Sequence, residues 1–340
     1  MIKPAPQKLT IYEIATLADT SPSTVSAILN GTWKKRRIAE QTALHVQALA
    51  KTHNYSVNRQ ASGLRTSRSG LAGMLIPTHE DRYFGIMSEA FDRMARERGL
   101  QPIVVSTMRD PALEVATAKT LITYQIDHLF VAGATDPDSV SRVCKRHNVM
   151  HVNVDLPGKL APSVISDNYG GAVELTSTLI ERSHKQPTAA RDRLYFVGGV
   201  PEDYATQRRI QGFTDTVEAK FGTVRAQQVH ACGYGREVTR DEVAKLYAKL
   251  CGLPRGLFLA ASVCLEGAIG FLKSLPIEEL QNCAFGSYDW DPFATYLRFP
   301  VHMMRQDVTG LLTEAFNIMQ GERWPQPKVY EIRPHLILGD

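Results

Sequence analysis

The strongest constraint in this chain is an eightfold alternation that runs from about Leu71 to the C-terminal region. Short apolar, β-branched runs ("LAGMLIP", "QPIVVS", "DHLFVAG", "MHVNVDL", "RLYFVGG", "GLFLAAS", "CAFGSYD", "VHMMRQD") are separated by amphipathic stretches near residues 84–98, 111–123, 138–147, 169–183, 203–220, 238–251, 263–273 and 307–320. A run apolar on both faces suits a strand buried on both sides, and helical spacing between such runs suits a crossover. The pattern therefore predicts a parallel α/β architecture. The stretch 71–340 suits two such lobes better than one, with a ligand in the cleft between them.

The first 70 residues follow a different period. Thr10 is placed to cap a helix in which Ile11, Ile14, Ala15 and Ala18 recur on one face. After the turn "DTS", Ser21 caps a second helix, Pro22 suits its first position, and Val25, Ile28 and Leu29 form its inner stripe. Gly31 ends it. A third helix follows in "AEQTALHVQALAKTHNY", with Ala43, Val46, Leu49 and Ala50 facing inward. Two short helices joined by a three-residue turn, with a third behind, make a helix-turn-helix pattern.

Charge separates the same two regions. Residues 1–68 carry ten Lys/Arg against three acids, a net +7, which leaves −3 for the rest of a chain whose total is +4. A basic head with a regular apolar period points to a polyanionic partner rather than to a solvated tail.

Other classes are poorly supported. No apolar run is long enough to span a membrane, and "MIKPAPQKLT" lacks the apolar core of a secretory signal, so a cytoplasmic protein is expected. The five cysteines (Cys144, Cys232, Cys251, Cys264, Cys283) form no CxxC pair and suggest reduced, mostly buried thiols. The ten histidines show no metal-ligand spacing, and there is no GxGxxG after a strand, P-loop, HExxH or GxSxG. No metal and no cofactor are expected. An α/β enzyme or a transport protein remains the alternative; the basic head argues against both.

Taken in order, "LTIYEIATLADTSPSTVSAILNG", "RIAEQT…HNYSVNRQASGLR", "VNVDLPG", "RRIQGF", "GSYDWDP" and "MMRQDVTGLL" resemble the LacI/GalR family of bacterial transcription regulators over essentially the whole chain, most like its fructose and sucrose repressor branch. The resemblance implies three parts. A DNA-binding head covers 1–57, and a hinge helix with its linker covers 58–70. A periplasmic-binding-protein-like sensor covers 71–340, with lobes of about 71–166 plus 308–330 and 167–306 plus 331–340.

In the head, the resemblance gives Thr10, Tyr12, Ser21, Thr24, Ser26, Asn30 and Tyr55 contacts to phosphates or a positioning role. It places Pro22, Ser23 and Ala27 at base edges. Many relatives have Arg at the last of these, and Ala27 offers at most a methyl-sized contact to thymine. Two further departures lie in the turn, Asp19 for a usual Gly and Thr20 for a usual Val; Asp tolerates a left-handed backbone, so the turn should survive. The loop Lys34, Lys35, Arg36 and Arg37 is a candidate phosphate contact, or else a solvated turn. In the hinge, Leu64 would wedge into the minor groove, flanked by Asn58, Ala61 and Arg65. Without the resemblance, Leu64 reads as an ordinary core leucine.

In the sensor, the resemblance assigns Arg209, Asp155, Asp289, Gln306 and Ser262 to the ligand, and Tyr83 and Phe84 are candidates to stack on a sugar face or to serve as lobe core. Ala261 and Ser262 replace a usual Asn-Asp pair, and Leu156 replaces a frequent Arg. The expected partners are a palindromic double-stranded operator, a second copy of the chain, and a fructose-containing sugar or its phosphate ester as effector.

Overall fold

A computed structural model describes residues 9–55, 69–183, 189–321 and 326–339. It divides into two compact units, Met1–Ser69 and Gly70–Asp340. The hinge candidates Asn58, Ala61, Leu64 and Arg65 lie outside the described residues.

The head comprises α1 (Ile11–Leu17), α2 (Pro22–Leu29) and α3 (Glu40–Thr52). Thr10 and Glu13 form a capping box at the start of α1, each side chain bonded to the other's backbone N–H. The Ser21 hydroxyl accepts the Thr24 amide and opens α2, with Pro22 in the first turn. Between them Asp19 takes the left-handed backbone (φ 45°) that closes the turn. Ile14, Ala15, Ala18, Val25, Ile28, Ala43 and Val46 form one core, against which Trp33, Leu49 and Tyr55 pack.

The faces of α2 differ from expectation at one residue. Ala27 is buried (4% exposed) and does not stand on the outer face. The chain after α2 folds back, so that the Ala27 carbonyl accepts both the amide and the hydroxyl of Thr32. The methyl side chain beside that fold-back is thereby largely removed from solvent. Tyr55 likewise is partly buried against the head core.

The body holds two six-stranded sheets. The first is ordered β11-β5-β4-β3-β1-β2, from Leu71–Ile76 (β1), Gln101–Ser106 (β2), His128–Ala132 (β3), Met150–Val154 (β4), Ser163–Ser166 (β5) and Val329–Ile332 (β11). The second is ordered β12-β10-β9-β8-β6-β7, from Leu194–Val197 (β6), Val229–His230 (β7), Gly256–Leu259 (β8), Ala284–Tyr288 (β9), Val301–Arg305 (β10) and His335–Ile337 (β12). Every pairing is parallel except β12 with β10. The two lobes thus repeat one topology, and the chain passes between them after β5, after β10 and after β11.

Helices cover both faces: α4 (Arg82–Glu97), α5 (Pro111–Thr123), α6 (Pro137–Arg146) and α12 (Val308–Met319) on the first sheet, and α7 (Asn168–Ser183), α8 (Tyr204–Phe221), α9 (Arg236–Leu250), α10 (Ser262–Leu272) and the short α11 (Ile277–Gln281) on the second. Each lobe centres on three phenylalanines: Phe91, Phe130 and Phe316 in the first, and Phe196, Phe213 and Phe258 in the second, at centroid separations of 4.6 to 5.9 Å. Among the described residues no helix is long and apolar enough to cross a membrane, and no cluster of His, Cys, Asp or Glu is placed to hold a metal ion.

Candidate functional site

Parallel strands aim their C-terminal ends at one edge, and the residues that follow those ends line the cleft. Asp155 follows β4 and Asp289 follows β9, equivalent strands of the two sheets. Both are non-glycine residues in the left-handed region (φ 74° and 65°), a conformation that functional sites retain at some cost. Both are buried. Tyr83, in the first turn of α4, donates its hydroxyl to Asp155 Oδ1 at 3.0 Å. Gln306, just after β10, donates Nε2 to Asp289 Oδ1 at 2.6 Å, while its own buried Oε1 accepts nothing from a described residue.

Arg209 lies in the second turn of α8 and is 3% exposed. Its Nε donates to Asn168 Oδ1 at 2.8 Å and one terminal nitrogen to the Ala260 carbonyl at 2.7 Å, with the guanidinium 3.8 Å from the Tyr288 ring centroid. The "RRIQGF" motif explains this placement. A Cβ on Gly212 would lie 2.6 Å from the Tyr169 carbonyl oxygen, so the glycine lets α8 close on α7, and Arg209 sits one turn earlier on the same helix.

One cavity brings these residues together with four that the sequence pattern did not single out: Asp81, Arg109, Asp203 and Tyr234. Asp81 and Asp203 also cap α4 and α8, accepting the amides of Tyr83 and Thr206, so a local reading assigns them to helix starts. The Tyr234 hydroxyl bonds Asp203 at 3.1 Å. Four carboxylates thus face two guanidinium groups, Arg109 and Arg209. Burial pushes the Asp155 carboxyl up to about 7 against the opposing pull of Arg209. Burial, then the Asp289 charge, pushes Asp81 up to about 6. Arg209 is held above the ordinary arginine value: burial works against its charge, and Tyr234, Asp289, Tyr288 and Asp155 outweigh it.

Three sequence candidates sit differently from the others. Ser262 is buried at the start of α10, and its neighbour Ala261 lines the cavity instead. Tyr83 and Phe84 pack into the first-lobe core and also line the cleft. Arg82 of the first lobe and Asp291 of the second form an ion pair at 2.8 Å across the lobes.

The head presents a hydroxyl-rich surface. Ser21 Oγ lies 2.8 Å from Ser23 Oγ and 2.9 Å from Thr24 Oγ1, and Asn30 donates to Ser26. Tyr12, Ser23, Asn30, Lys34, Lys35, Arg36 and Arg37 are exposed. These donors and cations suit phosphate oxygens.

A basic helix-turn-helix head joined to a two-lobed, ligand-binding sensor defines a ligand-responsive transcription regulator. Residues 10–58 match the model of the bacterial regulatory proteins of the lacI family, and residues 69–253 match that of the periplasmic binding proteins and sugar binding domain of the LacI family. The chain belongs to the LacI family; it is a DNA-binding transcription regulator of the sugar-operon repressor type, not an enzyme. It is 48% identical over 193 residues, 57% of this chain and 71% of the relative, to the ribitol operon repressor of Klebsiella aerogenes. It is 28% identical to the fructose operon regulatory protein of Vibrio cholerae serotype O1, with 88% and 89% of the two chains covered. Among solved structures, the lac repressor dimer bound to operator and the anti-inducer ONPF matches with a TM-score of 0.79 at 15% identity, covering 97% of this chain and 98% of that one.

Proposed function

We propose that the chain is a homodimeric cytoplasmic repressor that releases a palindromic operator when a neutral polyhydroxylated compound of five or six carbons, an alditol or ketose, fills the cleft. The observation that carries the ligand class is the excess of carboxylates in the cavity. Asp81, Asp155, Asp203 and Asp289 outnumber Arg109 and Arg209 two to one, which disfavours a phosphate dianion and suits hydroxyls that donate to carboxylates. Arg209 and the free Oε1 of Gln306 supply the complementary donor and acceptor. The relatives' ribitol and fructose operons concern compounds of this class. The expected fructose-type effector thereby narrows to its unphosphorylated form.

On the DNA side, Tyr12, Ser21, Pro22, Ser23, Thr24, Ser26, Asn30 and the loop Lys34–Arg37 form the operator face. With Ala27 buried, direct base reading falls to Pro22 and Ser23, and the rest of the discrimination comes from the shape and deformability of the site. A dimer supplies two heads at fixed spacing for two half-sites. Ligand closure of the lobes is transmitted through residues 58–65. The ligand shifts the equilibrium only by its differential affinity for the two states.

Calorimetric titration of the full chain with ribitol, D-ribulose, D-fructose and fructose 1-phosphate tests the ligand class. Binding of a neutral member with fructose 1-phosphate weaker is expected. Tighter binding of the phosphate ester overturns the charge argument.

A further inference from the structure

At the positions the resemblance marks, the cleft has one cation instead of two: Leu156 occupies the position after Asp155 where relatives often carry Arg. The second cation of this cleft comes from elsewhere in the fold. Arg109 lies in the loop between β2 and α5, far in sequence from β4, yet lines the same cavity as Asp155 and Leu156. Its guanidinium is 5.9 Å from the ring centroid of Phe84, on the first lobe, and 5.4 Å from that of Tyr234, on the second. It therefore stands between aromatic side chains of both lobes.

The loop is built to hold it there. Met108 and Arg109 are consecutive non-glycine residues in the left-handed region (φ 54° and 56°), an arrangement that persists only when its surroundings enforce it. The Met108 amide donates to the Pro77 carbonyl at 2.8 Å, and the Thr135 hydroxyl donates to the Arg109 carbonyl at 3.2 Å. Thr135 is itself held by Glu114, a fully buried carboxylate that accepts the amides of Thr135 and Asp136 at 2.7 and 3.1 Å. A buried acid thus anchors the strained loop through Thr135. The guanidinium donates no hydrogen bond to a described residue and forms no ion pair closer than 4 Å, although the Asp81 charge is near enough to be stabilised by it. Its five N–H groups are left for a ligand.

We propose that Arg109 is a specificity-determining effector contact: it donates to two adjacent hydroxyl oxygens of the bound polyol from the first lobe, opposite Arg209 of the second. This rests on the neutral-polyol reading above. Arg209 is locked by Asn168 and Ala260, whereas Arg109 is free to engage when the lobes close, so Arg109 couples occupancy to closure. Thr135 and Glu114 are positioning residues.

The test uses the full chain and whichever of ribitol, D-ribulose or D-fructose binds it most tightly. Arg109→Met should weaken that ligand roughly 10- to 100-fold, the effect of losing hydrogen bonds from a charged donor. Thermal unfolding of the ligand-free protein should change little beside that loss, because the side chain is exposed and donates no hydrogen bond to a described residue. Arg109→Lys should recover part of the affinity, since it restores charge without the two-pronged geometry. Thr135→Val, which keeps shape and drops the hydroxyl, should weaken the ligand less than Arg109→Met. Ligand affinity unchanged in Arg109→Met overturns the assignment, as does a loss matched by a lowered melting temperature and not eased by lysine. A parent protein that binds none of the three overturns the polyol reading and the assignment with it.

Discussion

Replacing Asp155 with Asn should stabilise the ligand-free sensor while destroying its ligand site. Asp155 is 7% exposed, and burial lifts its carboxyl pKa from an ordinary value near 4 to about 7. The folded value lies above the unfolded one, so its contribution to stability is fully present below pH ~4 and is lost as the pH rises to about 7. Above that, keeping the ionised group buried costs about 4 kcal/mol relative to a neutral one. Asn removes this cost, tolerates the left-handed backbone at φ 74°, and still accepts the Tyr83 hydroxyl. Urea unfolding of the full chain should show Asp155→Asn more stable at pH 8 by up to ~4 kcal/mol, the gain shrinking to under ~2 kcal/mol at pH 5. Ligand titration of the same variant should show affinity reduced at least tenfold, because a neutral amide accepts a sugar hydroxyl less strongly than a carboxylate does. A variant less stable than its parent at pH 8, or a stability difference independent of pH, refutes the reasoning.

Three further outcomes follow from the same structure. Gly212→Val should lower the melting temperature and weaken ligand binding together, since the Tyr169 carbonyl leaves no room for a Cβ; overpacking of this kind costs about 1–3 kcal/mol, and it shifts α8 and so Arg209. Ser21→Ala removes the α2 cap and should reduce head stability by ~1 kcal/mol, read by amide exchange in residues 22–29, with a matching fall in operator affinity. Paired replacement of Lys34 and Arg37 by Ala should lower the slope of log affinity against log salt by about two units if both meet phosphates, measured by anisotropy on an operator duplex.

The architecture was legible because its signal is periodic. The long buried strands are continuous apolar runs and several long helices carry a clear stripe, so the principal elements lie within a few residues of the expected spans. Elements without a pattern were not legible. "SVIS" (β5), Val229–His230 (β7) and "HLI" (β12) are two to four residues long, and "VYEI" (β11) alternates too briefly to distinguish a strand from a loop. Their place is set by pairing with distant strands. The short α11 begins after Pro276 with no side-chain cap, and only its tertiary setting marks it.

The candidate site divides in the same way. Asp155, Arg209, Asp289 and Gln306 sit in recognisable motifs. Asp81 and Asp203 show only as helix caps, and Arg109 and Tyr234 only as loop residues; what gathers them is the convergence of strand ends from two sheets. Ala27 shows the opposite failure. The resemblance placed it at a base edge, and the fold-back at Thr32, which no periodicity encodes, buries it.

The account stands most directly on one titration: full-length protein against a labelled operator duplex at fixed salt, with and without a saturating neutral polyol that calorimetry shows to bind. A tenfold or greater loss of operator affinity in the presence of the polyol is predicted. An unchanged or tightened operator complex, with the cleft demonstrably filled, contradicts it.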